Sequence, residues 1–206
     1  MCESPSPARS NSDRTESPTG TPPHAGFQTP NPHGVSTGSG GPSLAGWPRQ
    51  IRWAEFRGVS RRPGGASEDA QISVQLRGGR VRVERENGQF RLGRTTFRIR
   101  TNRRQSWVVT NKKSDALLEH EQGHYDLAGL CYRDLVKELR SIRTNSVREL
   151  QSENRRLMEE YDQRSDDLSA QYDDDTGHGT STERQDAWEN SIQDAIRNDT
   201  PFQAPG

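Results

Sequence analysis

A His-Glu-x-x-His motif constrains this chain more than any other feature. His120 and His124 lie four residues apart in an apolar-periodic run, and Ser114 ahead of them is a suitable helix N-cap. Each residue of an α-helix turns by about 100°, so side chains four apart project from the same face. The motif therefore predicts a long helix that presents two imidazoles to one ion, with Glu121 beside them.

Two imidazoles on one helix face favour a zinc site. Zinc accepts neutral imidazole nitrogen, and catalytic zinc uses three protein ligands and one open position for water. The metal lowers the pKa of that water to about 7, and an adjacent carboxylate can accept its proton. These residue types predict zinc held by His120 and His124, with Glu121 as the catalytic base. The alternative is a chance match with two solvated histidines.

The third zinc ligand has to come from another element. Asp126 lies about 200° around the helix from His124, and Glu138 returns to the ligand face about 21 Å further along the axis. His178 is the only histidine downstream of the motif. We therefore expect His178 to be the third ligand, and the alternative is a surface-loop histidine in an acidic run.

A helix break at residues 143–146 would bring His178 to the motif. Ser146 can cap a second helix, and an apolar stripe continues beyond it to Tyr172. The outward leg, 124–144, would span about 30 Å and the return leg, 146–168, about 33 Å. Because the legs match, an antiparallel helical hairpin would return the segment that contains His178 to the zinc motif.

Three further side chains are candidates for the surroundings of the metal. Tyr172 and Tyr125 could stabilise an oxyanion, although buried structural tyrosines are an equal alternative. Asp175 belongs to a run of three aspartates that is most simply solvated, yet one of them could orient a ligating imidazole.

Composition divides the chain into unequal parts. Residues 1–46 contain eight of the twelve prolines and few large apolar side chains, so burial there cannot offset the entropy of ordering. We predict a disordered tail over 1–46 and a folded domain over 47–200, followed by a C-terminal tail over 201–206. The domain divides at about residue 114 into a β-rich part (47–113) and a helical part (114–200).

The β-rich part shows short runs with period two, which are typical of half-buried strands. Gly78-Gly79 and Asn87-Gly88 mark two turns between them. Together with the helices, the pattern predicts an α+β fold in which an N-terminal antiparallel β-meander packs on the motif helix and the hairpin. The predicted strands lie at 72–76, 81–83, 96–100 and 107–109.

Charge raises a second possibility for the β-rich part. Residues 49–113 carry 17 basic and 5 acidic side chains, so arginines on an outer sheet face could bind nucleic acid. The sequence favours this less, because arginine is enriched throughout the chain and the aromatic side chains fit a sheet–helix core better. The aromatic residues concerned are Trp53, Phe56, Phe90 and Trp107.

The sequence indicates neither a membrane span nor a secretory signal. No apolar run approaches 18 residues, and no apolar segment of the signal-peptide type follows Met1. The two cysteines, Cys2 and Cys131, form no cluster for a second metal. Localisation and oligomeric state are left open by these features.

Several blocks resemble a bacterial family of domains of unknown function described as predicted secreted zinc-dependent proteases. The blocks are Arg52–Gly58, Ser106–Val108, Leu117–Asp126, Tyr172–Gly179 and Gln185-x-x-Trp188. The resemblance spans about residues 47–200 and implies a zincin-like α+β fold with His120, Glu121 and His124 in their usual roles. The chain departs from the family description in lacking a visible secretory signal.

We therefore expect a zinc-dependent metallopeptidase that hydrolyses peptide bonds in a protein or peptide substrate. In this hypothesis Glu121 activates a zinc-bound water, and the ion polarises the peptide carbonyl. An upstream strand edge could align an extended peptide by β-addition. One alternative is a binding or effector module that keeps zinc for stability without turnover. A second alternative, which the sequence favours less, is that the basic sheet binds nucleic acid.

Overall fold

The computed structural model describes residues 40–206, in which eight short strands precede three helices. The strands thus occupy the first half of the described chain and the helices the second, which confirms the α+β class. The strands are β1 (Ser43–Ala45), β2 (Arg57–Val59), β3 (Ala70–Gln71), β4 (Val74–Gly78), β5 (Val83–Glu86), β6 (Gln89–Leu92), β7 (Thr96–Thr101) and β8 (Trp107–Val109). The helices are α1 (Asp115–Ser141), α2 (Val147–Thr176) and α3 (Thr182–Asn198).

The strands form small mixed sheets, so the prediction of a purely antiparallel meander was wrong. Two three-stranded sheets have the orders β1-β7-β4 and β2-β8-β3, and β5 pairs with β6 alone. The β1–β7 and β2–β8 pairs are parallel. Gly78-Gly79 does not close a hairpin between adjacent strands, because β4 pairs with the distant β7 and sets Leu76 opposite Ile99. Burial of the apolar face of β7 decides this pairing, which a local turn signal cannot reveal.

The second predicted turn is confirmed. Asn87 and Gly88 connect β5 to β6 in an antiparallel hairpin, and both have positive φ, at 51° and 84°. A two-residue hairpin loop of this kind needs positive φ at both positions, which asparagine and glycine tolerate best.

The folded region extends beyond both predicted boundaries. β1 lies before residue 47 and pairs with β7, so part of the predicted 1–46 tail belongs to a sheet; residues 1–39 lie outside the described residues. At the other end, Phe202 is buried and packs on Trp188 with ring centroids 5.6 Å apart. The 201–206 segment therefore covers an apolar surface rather than forming a free tail.

Helices α1 and α2 begin where the sequence predicted. Ser114 and Ser146 cap α1 and α2, and each side-chain oxygen accepts a hydrogen bond from a backbone N–H three residues later. Ring hydroxyls then fix the antiparallel pairing of the two helices. Tyr132 donates to Asp162 at 3.0 Å and Tyr161 to Glu138 at 2.8 Å. The end of α2 thus returns to the start of α1, as the matched leg lengths predicted.

One face of α1 packs on the sheets and the other on α2 and α3. The face towards the sheets includes Tyr125, Leu135 and Leu139, which pack with residues of the strands in the main core. A second cluster joins α1 to Trp188 and Ile192 of α3. Within residues 40–206, no helix is both long and apolar enough to cross a membrane.

Candidate metal centre

Three ligand-type atoms converge where the end of α2 meets α1. The Nε2 atoms of His120 and His124 lie 3.2 Å apart, as expected from their spacing on the helix. Asp173, from the last turns of α2, places Oδ1 3.0 Å from the first nitrogen and 3.1 Å from the second. The helical hairpin thus adds a carboxylate oxygen to the pair of imidazoles that the motif alone provides.

The size and chemistry of this triangle fit a zinc ion. Atoms bound tetrahedrally to zinc at about 2.0–2.1 Å are roughly 3.3 Å apart, close to the spacing of the three atoms. Two imidazole nitrogens and one carboxylate oxygen form a common ligand set of catalytic zinc. His120, His124 and Asp173 are the group of described residues whose geometry could hold a metal ion.

The Nδ1 atoms of both imidazoles, which point away from the triangle, lie within hydrogen-bond distance of other side chains. His120 Nδ1 lies 3.2 Å from Gln185 Oε1 of α3, and His124 Nδ1 lies 2.7 Å from Ser169 Oγ of α2. Metal-binding histidines characteristically make such a second contact, which fixes the orientation of the ring. Both rings are therefore held from outside with Nε2 facing Asp173.

Glu121 lies beside the triangle with an unused oxygen. Its side chain is buried, and within residues 40–206 its Oε2 has no hydrogen-bond partner. Burial raises the pKa of Glu121 to about 8, although a hydrogen bond from the backbone of Ile72 acts to lower it. Glu121, both imidazoles and Asp173 line one cavity of about 90 Å³. Glu121 is therefore a carboxyl group that lines the same cavity as the three ligand-type atoms, and a carboxylate in that position can act as a base.

The charges of the triangle suit a cation. Burial opposes ionisation of Asp173, but the two imidazoles stabilise the carboxylate and lower its pKa below the usual range. Burial also lowers the pKa of His124, although Asp173 acts in the opposite direction. An ionised carboxylate and a neutral imidazole are the protonation states in which these groups bind metal.

His178 lies at the edge of this site. Its Nδ1 is 3.3 Å from Asp173 Oδ1, and its side chain remains 43% exposed. The backbone turns sharply here, because Gly177, His178 and Gly179 all have positive φ. The predicted hairpin thus does return His178 to the motif, but the structure places Asp173 between it and the other two histidines.

Tyr172, Tyr125 and Asp175, the three side chains that the sequence suggested for the surroundings of a metal, lie at different distances from the triangle. The Tyr172 ring stacks on His120 with centroids 4.7 Å apart, and its hydroxyl donates to the His120 carbonyl at 3.3 Å. Tyr125 instead donates to the Gly46 carbonyl. Asp175 accepts hydrogen bonds from two α3 side chains, Arg184 and Trp188. Of the three, Tyr172 directly contacts a residue of the triangle.

From the sequence, Asp173 was one of three aspartates expected to be solvated or to orient a ligating imidazole, and it was not predicted to be a ligand. Nothing in Asp173–Asp175 distinguishes the three carboxylates, and helix rotation relative to α1 decides which one faces the histidines. Ser169 offered a weak signal, because it lies one turn before Asp173 on α2. Gln185 was noted only as part of the Gln185-x-x-Trp188 block, which gave it no role, because its contact with His120 depends on how α3 packs.

Most of the chain matches a known protein family. Residues 41–179 match a family described as bacterial proteins of unknown function (DUF922). The chain belongs to this DUF922 family. The matched segment contains the motif, Asp173 and His178, and it ends before α3. No curated protein and no solved structure matches the chain.

Proposed function

We propose that this DUF922 protein is a zinc-dependent peptidase. The observation that carries the proposal is the convergence of two imidazole nitrogens and a carboxylate oxygen beside a buried, unpartnered carboxyl oxygen of Glu121. A structural zinc site needs its ligands alone, so a fourth buried polar group with a free oxygen favours catalysis. Burying an unpaired polar atom is costly, and a catalytic role is one of the recognised explanations for such an atom.

In this proposal the three ligands are His120 Nε2, His124 Nε2 and Asp173 Oδ1. Zinc held there would supply Lewis-acid polarisation of a carbonyl and would lower the pKa of a water. We assign the third position to Asp173 rather than to His178 because the carboxylate oxygen already lies within 3.1 Å of both nitrogens. His178 would then hold Asp173 from outside.

Glu121 would accept the proton of the attacking water and pass it to the leaving amine. Its Oε2 has no hydrogen-bond partner within the described residues, so no donor there would compete with that water for this oxygen. Its pKa, about 8 without a cation nearby, would fall beside a divalent ion, because an adjacent positive charge favours the ionised carboxylate. A bound metal would therefore convert Glu121 from an acid into a base at neutral pH.

A peptide substrate is favoured by the strand next to the cavity. β3 pairs with β8 on one side and, within the described chain, with no strand on the other. Ala70 and Gln71 of β3 line the same cavity as Glu121. An extended peptide could add to the free edge of β3 through main-chain hydrogen bonds, which would place its backbone beside the catalytic carboxylate.

The first test compares zinc binding by the wild type, Asp173→Ala and His178→Ala. Loss of an outer partner typically weakens metal affinity by about 10–100-fold. We expect Asp173→Ala to weaken zinc affinity by more than about 100-fold and His178→Ala to weaken it by no more than that, as measured by competition with a chromogenic chelator. The opposite ranking would restore His178 as the third ligand, and absence of zinc from the wild type would overturn the proposal.

The second test is digestion of a peptide library by the zinc-loaded protein. Removing a general base typically costs about 10²–10⁴ in rate. Glu121→Gln should therefore abolish detectable cleavage while zinc is retained. Cleavage that persists in this variant would come from another site or a contaminant. Zinc binding with no cleavage by the wild type would favour the non-catalytic zinc module.

Nucleic-acid binding by the β-rich half is less well supported. Phe56 and Trp107 are buried in the protein interior, and Trp53 and Phe90 pack against the main core, so a row of exposed aromatic rings for base stacking is lacking among residues 40–206. Exposed arginines such as Arg98 and Arg100 on β7 remain, and they would give only electrostatic binding that depends steeply on salt.

A further inference from the structure

We propose that Gln185 and Tyr172 are positioning residues that place the proton of His120 on Nδ1, and so present Nε2 as a bare ligand. This inference rests on the proposed zinc site. A neutral imidazole carries one proton on either nitrogen, and only the unprotonated nitrogen can bind a metal. The contacts around His120 form a chain of hydrogen bonds whose direction can be followed atom by atom.

The chain starts at a group that can only accept, the main-chain carbonyl of His120. The Tyr172 hydroxyl lies 3.3 Å from this oxygen and is buried, so its single proton is directed to the carbonyl. The hydroxyl oxygen must then accept from its other neighbour, Gln185 Nε2, which makes a short contact with it. A carbonyl of His120 thereby fixes the orientation of the Gln185 amide.

The fixed amide in turn determines the tautomer of the imidazole. With Nε2 of Gln185 directed to Tyr172, Oε1 faces His120 Nδ1 at 3.2 Å. An amide oxygen only accepts hydrogen bonds, so Nδ1 must carry the proton. His120 Nε2 is left with a lone pair that faces His124 Nε2 and Asp173 Oδ1.

This control has a clear purpose, because the other tautomer would be favourable in the absence of metal. A proton on His120 Nε2 could donate to Asp173 Oδ1, 3.0 Å away, and would block the ligand position. The Tyr172–Gln185 chain opposes that state by making Nδ1–H the satisfied arrangement. The site is thereby prepared for zinc rather than closed by an internal hydrogen bond.

Helix α3 supplies Gln185 and is held firmly at the site. Trp188, one turn after Gln185, is fully buried, and its Nε1 donates to Asp175 Oδ2 at 3.1 Å. The Tyr172 ring lies between His120 and Trp188, with centroids 4.7 and 5.3 Å from them. Gln185 lies beyond the matched residues 41–179, so the segment after the family match contributes to the metal centre.

The experiment measures zinc affinity of the full chain with four substitutions. Gln185→Leu removes both amide hydrogen bonds at similar size, and Tyr172→Phe removes the hydroxyl that orients the amide. Gln185→Glu keeps an acceptor facing Nδ1, as carboxylates do for metal-binding histidines. Gln193→Leu is the matched control, because Gln193 is an exposed amide on the same helix.

We expect Gln185→Leu to weaken zinc binding by about 10–100-fold and Gln185→Glu to restore it to within about threefold of the wild type. Gln193→Leu should bind as the wild type does, and Tyr172→Phe should give an intermediate loss. Equal affinity of Gln185→Leu and the wild type would overturn the inference. So would failure of Gln185→Glu to restore binding, because a packing defect of α3 would affect both variants.

A second readout is independent of zinc. Long-range ¹H–¹⁵N NMR of the metal-free chain, at a pH where the imidazoles are neutral, identifies the protonated nitrogen of His120. We expect Nδ1–H in the wild type and a shift towards Nε2–H in Gln185→Leu; the same tautomer in both would overturn the inference. A wild type that shows Nδ1–H but binds no zinc would overturn the proposed function and leave the tautomer control standing.

Discussion

Glu121 is a residue whose protonation the proposed metal would change. It is buried, and burial is the largest cause of the raised pKa of its carboxyl group. The negative charge of Asp173 adds to the effect of burial. The site therefore resists ionisation of Glu121 until a positive charge is added beside it.

A pH dependence follows for the metal-free protein. The pKa of Glu121 rises from 4.5 in the unfolded chain to about 8 in the folded one, so only the unfolded chain releases this proton between those values. Its contribution to stability is fully present below about pH 4.5 and is lost as pH rises through about 8. Glutamine does not titrate, so the free energy of unfolding of Glu121→Gln should not show this loss. Relative to the wild type, it should rise by at most about 1.4 kcal/mol per pH unit over this interval.

Urea unfolding with a chelator present, from pH 5 to pH 8, measures this difference. Glu119→Gln is the matched control, because Glu119 is an exposed carboxylate two residues away on α1. Parallel pH profiles for the wild type and Glu121→Gln would contradict the prediction. Adding zinc should reduce the difference between them if the metal binds beside Glu121.

At the scale of elements, the closeness of α1 and α2 depends on a missing side chain. Gly123 lies between the two histidines of the motif, and the Tyr172 side chain of α2 occupies the space that a Cβ of residue 123 would need. A Cβ added there would overlap the Tyr172 hydroxyl and its ring carbons. The glycine lets the end of α2 approach closely enough for Asp173 to reach both imidazoles.

Gly123→Ala should therefore destabilise the protein. At an exposed helical position this substitution stabilises by about 1 kcal/mol, because alanine has the higher helix propensity. Here the overlap with a buried ring should cost about 1–3 kcal/mol and reverse the sign. Chemical denaturation of the single variants and of the Gly123→Ala/Tyr172→Ala double variant measures the coupling. Additive effects, or a gain in stability from Gly123→Ala alone, would refute the packing argument.

At the scale of the whole molecule, the N-terminal strand closes one sheet. β1 forms three parallel residue pairs with β7, from Ser43 opposite Thr96 to Ala45 opposite Arg98. The Ser43 N–H also donates to the Thr95 carbonyl at 2.8 Å. This strand lies outside the domain that composition alone predicted, although it covers the edge of a core strand.

A chain that starts at residue 47 should consequently be less stable than one that starts at residue 40. Removal of β1 exposes the edge of β7 and the apolar contacts of Leu44, and we expect a loss of about 1–3 kcal/mol. The zinc affinity should change less, because the proposed ligands lie on α1 and α2. Urea unfolding of the two chains tests the first statement and chelator competition the second. Equal unfolding midpoints would show that β1 contributes nothing.

The motif, the helix caps and the lengths of the two helical legs could be predicted from the sequence because they depend on local spacing. Ser114 and Ser146 act through bonds to backbone three residues away, and His120 and His124 share a face through helix geometry alone. The Asn87-Gly88 turn is local in the same sense. These features can be predicted without knowing which parts of the chain pack against them.

The pairing of the strands and the positions of Asp173 and Gln185 beside the imidazoles were decided only by the tertiary structure. β4 pairs with β7 across about twenty residues because burial of the apolar faces outweighs a local turn signal. Asp173 and Gln185 reach the imidazoles through the rotation and packing of α2 and α3, which Gly123 and Trp188 control. Such contacts depend on shapes that meet from distant parts of the chain, so sequence spacing locates the two histidines and packing completes their site.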